Sequence, residues 1–113
     1  MFEKGTIVLV PFPFTDLSAH KVRPAVIVSS FSGGNDVIVA FISSRLNRKL
    51  YPMEVFIDQA DPAFSNTGLK CDSLIKVDKL ATLDKRIILG ELGAIDRTTM
   101  QEVGKRIRRL FGL

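Results

Sequence analysis

With 113 residues, 46% of them hydrophobic, the chain has the length of one domain and enough apolar side chain for a single core without staples. Its formal net charge of +4 gathers at 20–23, 45–49 and 105–109, a pattern that suits a polyanion or an acidic protein partner and equally describes a soluble basic surface. One cysteine, Cys71, excludes an intrachain disulfide, one histidine without ligand spacing excludes a zinc centre, and the short apolar runs exclude a membrane-spanning helix.

The first segment, "MFEKGTIVLVPF", carries Glu3, meets Pro11 early and has no small-residue cleavage site, so no signal peptide is expected and a cytoplasmic location follows. Short β-branched runs then recur at Thr6 to Val10, Ala25 to Ser29, Val37 to Ile42, Met53 to Ile57 and Ser73 to Val77. Shorter ones stand at Leu80 to Leu83 and Ile87 to Leu89. These are strand signals at the spacing of a small barrel, about seven strands in all. "VIVAFIS" is apolar almost throughout and predicts a central strand covered on both faces. Before it, Gly33-Gly34-Asn35-Asp36 accept positive φ at little cost and predict a hairpin joining the second and third strands.

From Met100 the periodicity changes. Met100, Val103, Ile107, Leu110 and Phe111 form a helical stripe, with Asp96 placed as N-cap and Gly112 just past the end. One terminal helix should cover the barrel. Lys105, Arg106, Arg108 and Arg109 lie where the helix dipole favours cations, so this basic run reads as a solvated helix end rather than a nucleic-acid site. Residues 1–113 show no repeat or linker and are expected to form one domain. The long irregular segments, Pro11 to Pro24 and Asp58 to Asp72, are where chemistry should be sought, since ordering such lengths has an entropic cost.

In "HKVRPAVIVSS", Pro24 pushes Arg23 into an extended backbone and aims its guanidinium from a stiff base. That planar fork matches a phosphate, although the same arginine is suited to capping the barrel mouth or pairing with Asp72. "FISSRLNRK" sets the hydroxyls of Ser43 and Ser44 before Arg45, Arg48 and Lys49, and the hairpin would bring Ser43 across from Arg23. Serines at strand ends also commonly satisfy backbone groups, and no His/Asp set accompanies these to make a hydrolase triad. In "GLKCDSLIKV", Lys70 and Asp72 bracket Cys71; Asp72 is placed either to orient Arg23 or accept a proton, or to cap the loop. The loop "PFPFTDLSAHK" offers Phe12 and Phe14 for base stacking or for the core, and ends in His20, whose imidazole titrates near neutrality.

The order of these features resembles the MazF/PemK family of type II toxin–antitoxin toxins, nearly end to end from Gly5 to Leu113. "RPAVIVS", the "ISS" strand end and "GL..DS....D...TLDK" carry the resemblance. It implies an SH3-like barrel with a C-terminal helix, a homodimer, and a sequence-selective endoribonuclease that cuts single-stranded RNA without metal or other cofactor. Arg23 falls on the family's catalytic arginine and Ser43 on its catalytic hydroxyl, usually threonine, so the methyl that restricts the rotamer is missing here. Asp72 matches an acidic position used by some members, and His20 lies in a loop that varies. Lys21, Ser44, Arg45, Arg48, Lys49 and Lys70 are then the expected RNA contacts, and the expected protein partner is an antitoxin with an acidic, partly apolar tail. The competing reading is a non-catalytic barrel that binds nucleic acid or, as some members of the wider superfamily do, a protein such as gyrase.

Overall fold

The computed structural model describes residues 2–11, 21–30, 34–46 and 49–113. Six strands, β1 (Thr6–Pro11), β2 (Val22–Ile27), β3 (Asp36–Ser43), β4 (Glu54–Ile57), β5 (Ser73–Asp84) and β6 (Gly90–Ala94), form one sheet in the order β4-β5-β3-β2-β1-β6. Every neighbouring pair is antiparallel. A helix, α1 (Arg97–Leu110), follows, and 3-10 turns occupy Pro62–Asn66 and Lys85–Ile87. The result is a small SH3-like barrel, opened to a curled sheet, with a C-terminal helix.

Side chains alternate across the sheet, and both faces are covered. Ile7, Val26, Ala40, Ile42, Ile75 and Val77 line one face, and α1 closes it with the fully buried Val103 flanked by Met100 and Ile107. Burying a valine of that kind contributes about 1.5–3 kcal/mol. The other face gathers Val8, Val10, Ala25, Ile27, Val39 and Phe41. Strand β3 feeds both clusters, as its unbroken apolar run requires.

The β2–β3 hairpin forms as expected, with Gly34 at φ +83 in the turn. The helix cap also forms: Asp96 Oδ1 accepts the Thr99 N–H at 2.9 Å, and Gly112 takes φ +70 just past the helix. Three expectations change. The runs Ser73 to Val77 and Leu80 to Leu83 belong to one long strand, because Asp78 and Lys79 sit in an irregularity that bends β5 rather than in a turn. Ile87 closes a 3-10 turn, and β6 begins at Gly90, where two glycines hide a strand from propensity. Phe111 is 62% exposed and leaves the helical stripe.

The two edges of the sheet are drawn together beyond β4. A Cβ on Gly68, which holds φ +73, would collide with the Leu92 carbonyl of β6, and one on Gly93 would collide with the Asn66 carbonyl. Glycine at both places lets the 66–68 backbone lie directly on β6.

Candidate active site

Strand β2 starts at Val22, three residues before its apolar run, so Arg23 and Pro24 pair with Val10 and Leu9 of β1. Arg23 is exposed while Val10 beside it is fully buried, which puts the guanidinium at the rim of the core. The register between β2 and β3 pairs Ala25 with Phe41. Extended two residues outward, it sets Arg23 opposite Ser43, on the same face. Ser43 in turn pairs with Leu74 of β5, and Asp72 lies just before that strand. Three adjacent strands thus present a guanidinium, a hydroxyl and a carboxylate at one end of the sheet.

Local bonds fix two of these groups. Ser43 Oγ accepts the Arg45 N–H at 3.1 Å, a turn that steers the chain into the β3–β4 connection and leaves the hydroxyl proton to be donated. Asp72 Oδ1 accepts the Gln59 N–H at 2.7 Å and so ties the two ends of the β4–β5 connection together. Lys21, Ser44, Arg45, Lys49, Lys70 and Cys71 are all exposed. His20 and Arg48, with Phe12 and Phe14, lie outside the described residues. Among the described residues no group of three His, Cys, Asp or Glu side chains is arranged to hold a metal ion, and no helix is long and apolar enough to cross a membrane.

One contact was not foreseen from the sequence. Glu54, 3% exposed, pairs through Oε2 with Lys76 Nζ, and its Oε1 accepts the Tyr51 N–H at 3.0 Å. This ion pair pins the far end of the β3–β4 connection. An acid inside "MEVFI" is a visible signal, but its partner is set by the β4–β5 register, which pairs Glu54 with Lys76.

A family model described as PemK-like, MazF-like toxin of type II toxin–antitoxin system matches residues 3–111. The chain belongs to that toxin family. Endoribonuclease MazF of Staphylococcus saprophyticus is 30% identical across 100% of this toxin and 93% of its own length. Among solved structures, a mycobacterial endoribonuclease in complex with its cognate antitoxin aligns over 100% of the toxin and 97% of that chain, with TM-score 0.77 and 19% identity. The MazE–MazF complex of Deinococcus radiodurans aligns over 98% and 96%, with TM-score 0.76 and 21% identity. These two likenesses carry the fold, and the barrel with its terminal helix is shared over essentially the whole toxin.

Proposed function

We propose that the toxin, an endoribonuclease of this family, cuts single-stranded RNA at preferred sequences and without metal, using Arg23 and Ser43 as its phosphate-facing pair. The supporting observation is the β2–β3 register, which brings the two residues to one rim from adjacent strands. The 2′-oxygen of the RNA bonds to the adjacent phosphorus while the bond to the 5′-oxygen breaks. The products are a 2′,3′-cyclic phosphate and a 5′-OH.

Arg23 stabilises the charge that builds on the non-bridging oxygens, and the Ser43 hydroxyl donates its remaining proton to the phosphate or the 2′-OH. Two candidates remain for moving the proton from the 2′-OH to the departing 5′-oxygen. We assign the transfer to Asp72 or His20: the single bond from the Gln59 amide to Asp72 Oδ1 holds the rim and leaves the second carboxylate oxygen open to a proton. Lys21, Ser44, Arg45, Arg48, Lys49 and Lys70 contact the RNA backbone around the cut. A homodimer would set two such rims side by side, and an antitoxin bearing an acidic, partly apolar tail would cover them; the mycobacterial relative is solved in complex with its cognate antitoxin. Residues 1–113 act as one toxin domain, in the cytoplasm, where its substrate is translated.

Arg23→Ala tests this reading. Cleavage should fall on the order of 10²-fold or more, the usual loss of one preorganised donor, while circular dichroism and Tm stay those of the parent. An all-deoxy oligonucleotide of the same sequence should bind and remain uncut, because it lacks the attacking hydroxyl. Undiminished cleavage by the variant, or a cut in the deoxy strand, would overturn the mechanism.

A further inference from the structure

Away from the Arg23 rim, a groove of about 460 Å³ runs between residues 50–52 and the last turns of α1. Its outer wall carries Leu50 and Tyr51, 51% and 57% exposed, and its floor carries Lys105, Arg106 and Arg109 with Glu102. Lys105 and Arg109 are exposed and lie one helical turn apart on the same face. The basic run that the sequence assigns to a solvated helix end is therefore half of a built cleft.

The wall is held rigidly. Tyr51 donates its N–H to Glu54 and its carbonyl accepts the Glu54 N–H at 2.9 Å, while Arg106 donates to the Pro52 carbonyl. Arg106 also pairs with Glu102, at 3.0 Å from Nε and 2.9 Å from Nη2. Three cations against one carboxylate leave a net charge of about +2, which exceeds the roughly half negative charge at the helix end. The groove is electropositive.

What remains to offer a ligand is then mainly cationic heads and one flat ring. The Tyr51 N–H and carbonyl and the Pro52 carbonyl are already used, so Leu50 is the one residue of this wall whose main-chain groups are left for an extended acidic peptide. A single nucleic-acid strand needs only what is present: charge for successive phosphates and an aromatic face for a base. The wall also continues directly from Ser43, Ser44, Arg45 and Lys49, the connection that leaves the cleavage rim.

We infer that this groove is a second RNA subsite, which holds nucleotides flanking the cut, with Tyr51 stacking on a base and Lys105 and Arg109 gripping adjacent phosphates. The inference rests on the endoribonuclease reading and adds a place where substrate length is read. Cleavage and binding are compared for a long RNA and for the shortest oligonucleotide that the parent still cuts at the same site. In the Lys105→Gln/Arg109→Gln double variant, KM for the long RNA should rise on the order of tenfold with kcat kept, and the short substrate should change less than twofold. The slope of log K against log salt should shrink by about 1.4, since each phosphate contact on a single strand contributes about 0.7. Tyr51→Ala should repeat the KM effect and Tyr51→Phe should not, because phenylalanine retains the stacking face.

Equal losses on long and short substrates, or none on either, would overturn the subsite. So would a double variant that handles long RNA like the parent but loses binding of a poly-glutamate peptide, since the groove would then take an acidic protein segment. Binding is read apart from cleavage for a further reason. A parent that binds long RNA through the groove yet never cuts it refutes the endoribonuclease reading while leaving the subsite standing.

Discussion

The chain crosses the surface twice around β4, through 44–53 before it and 58–72 after it, and the two connections use their polar groups in opposite ways. In 58–72 the carboxylates turn inward on the loop itself. Asp58 accepts the Ala60 N–H at 2.9 Å, Asp61 the Ala63 N–H at 2.8 Å and Asp72 the Gln59 N–H at 2.7 Å. Thr67 donates to the Phe64 carbonyl and accepts the Leu69 N–H, while Phe64 and Leu69 pack on the core. In the described part of 44–53, Ser44, Arg45, Lys49, Leu50 and Tyr51 are exposed, and the bonds that hold the segment lie at its two ends, from Ser43 to the Arg45 N–H and from Glu54, Arg106 and Val77 to residues 51–53. Length makes 58–72 a candidate for function, whereas 44–53 stands out by its hydroxyl and basic residues. What separates them is how far the polar groups are consumed by the loop's own backbone: the 58–72 carboxylates are bonded within the loop and leave Lys70 as its outward cation, whereas Ser44, Arg45 and Lys49 stay open to a ligand.

The sharpest contrast between the two should come from glycine. Gly68→Ala forces an alanine into a left-handed backbone and into collision with Leu92, and Gly93→Ala collides with Asn66. Each should lower unfolding free energy by about 3 kcal/mol or more in urea titrations, while the molecules that remain folded keep the parent's kcat. A normal stability for both variants would mean that 66–68 does not seal the barrel against β6.

Next in size is the pin on the other connection. Lys76→Met removes the cation paired with the buried Glu54 carboxylate, which keeps the Tyr51 N–H, and because Lys76 is about a quarter exposed the loss should fall near the lower end of about 3–5 kcal/mol. Its secondary effect should be on Tyr51, which Glu54 holds: faster amide exchange at Tyr51 with no matching change at Gln59 would show that the two connections are anchored independently.

Asp96 provides a smaller, pH-dependent effect outside both connections. The Thr99 hydroxyl, and after it the Thr99 N–H, hold its carboxyl below the usual carboxylate value, and Arg86 holds that of Asp84 down to about 2. Both groups bind protons more weakly when folded. Their stabilising contribution is therefore fully present above the ordinary carboxylate range near 4 and is lost as pH falls from there toward the folded values. Asp96→Ala should cost about 1 kcal/mol at neutral pH and flatten the acid limb of the Tm profile; an unchanged limb would remove Asp96 as a cap.

The smallest effect on stability is expected at Asp72. Asparagine keeps an oxygen for the Gln59 amide but takes no proton, so Asp72→Asn should leave Tm essentially unchanged. A reduction in kcat of less than about tenfold would assign the proton transfer to His20, and a fall of about 10²-fold would assign it to Asp72.

Much of this is legible in the sequence. The Gly34 turn and the apolar β3 run announced the hairpin, and that hairpin is what brings Arg23 and Ser43 to one rim. Asp96 and Gly112 bounded the helix correctly because capping is local chemistry. The failures share a different cause. Asp78 and Lys79 look like a turn because a bend within a strand is set by its neighbour's register, and Gly90 and Gly93 conceal β6 because Gly93 answers to a contact with Asn66 far along the chain. The place of Tyr51 is not legible in the sequence, since it depends on α1 lying opposite it.

The most direct test of the cleavage mechanism is end-group mapping on a defined RNA incubated with the purified toxin in EDTA. Cuts that leave a 2′,3′-cyclic phosphate and a 5′-OH, and that disappear with Arg23→Ala, are the predicted result. Cleavage that requires added divalent metal, or that leaves a 5′-phosphate, would contradict it.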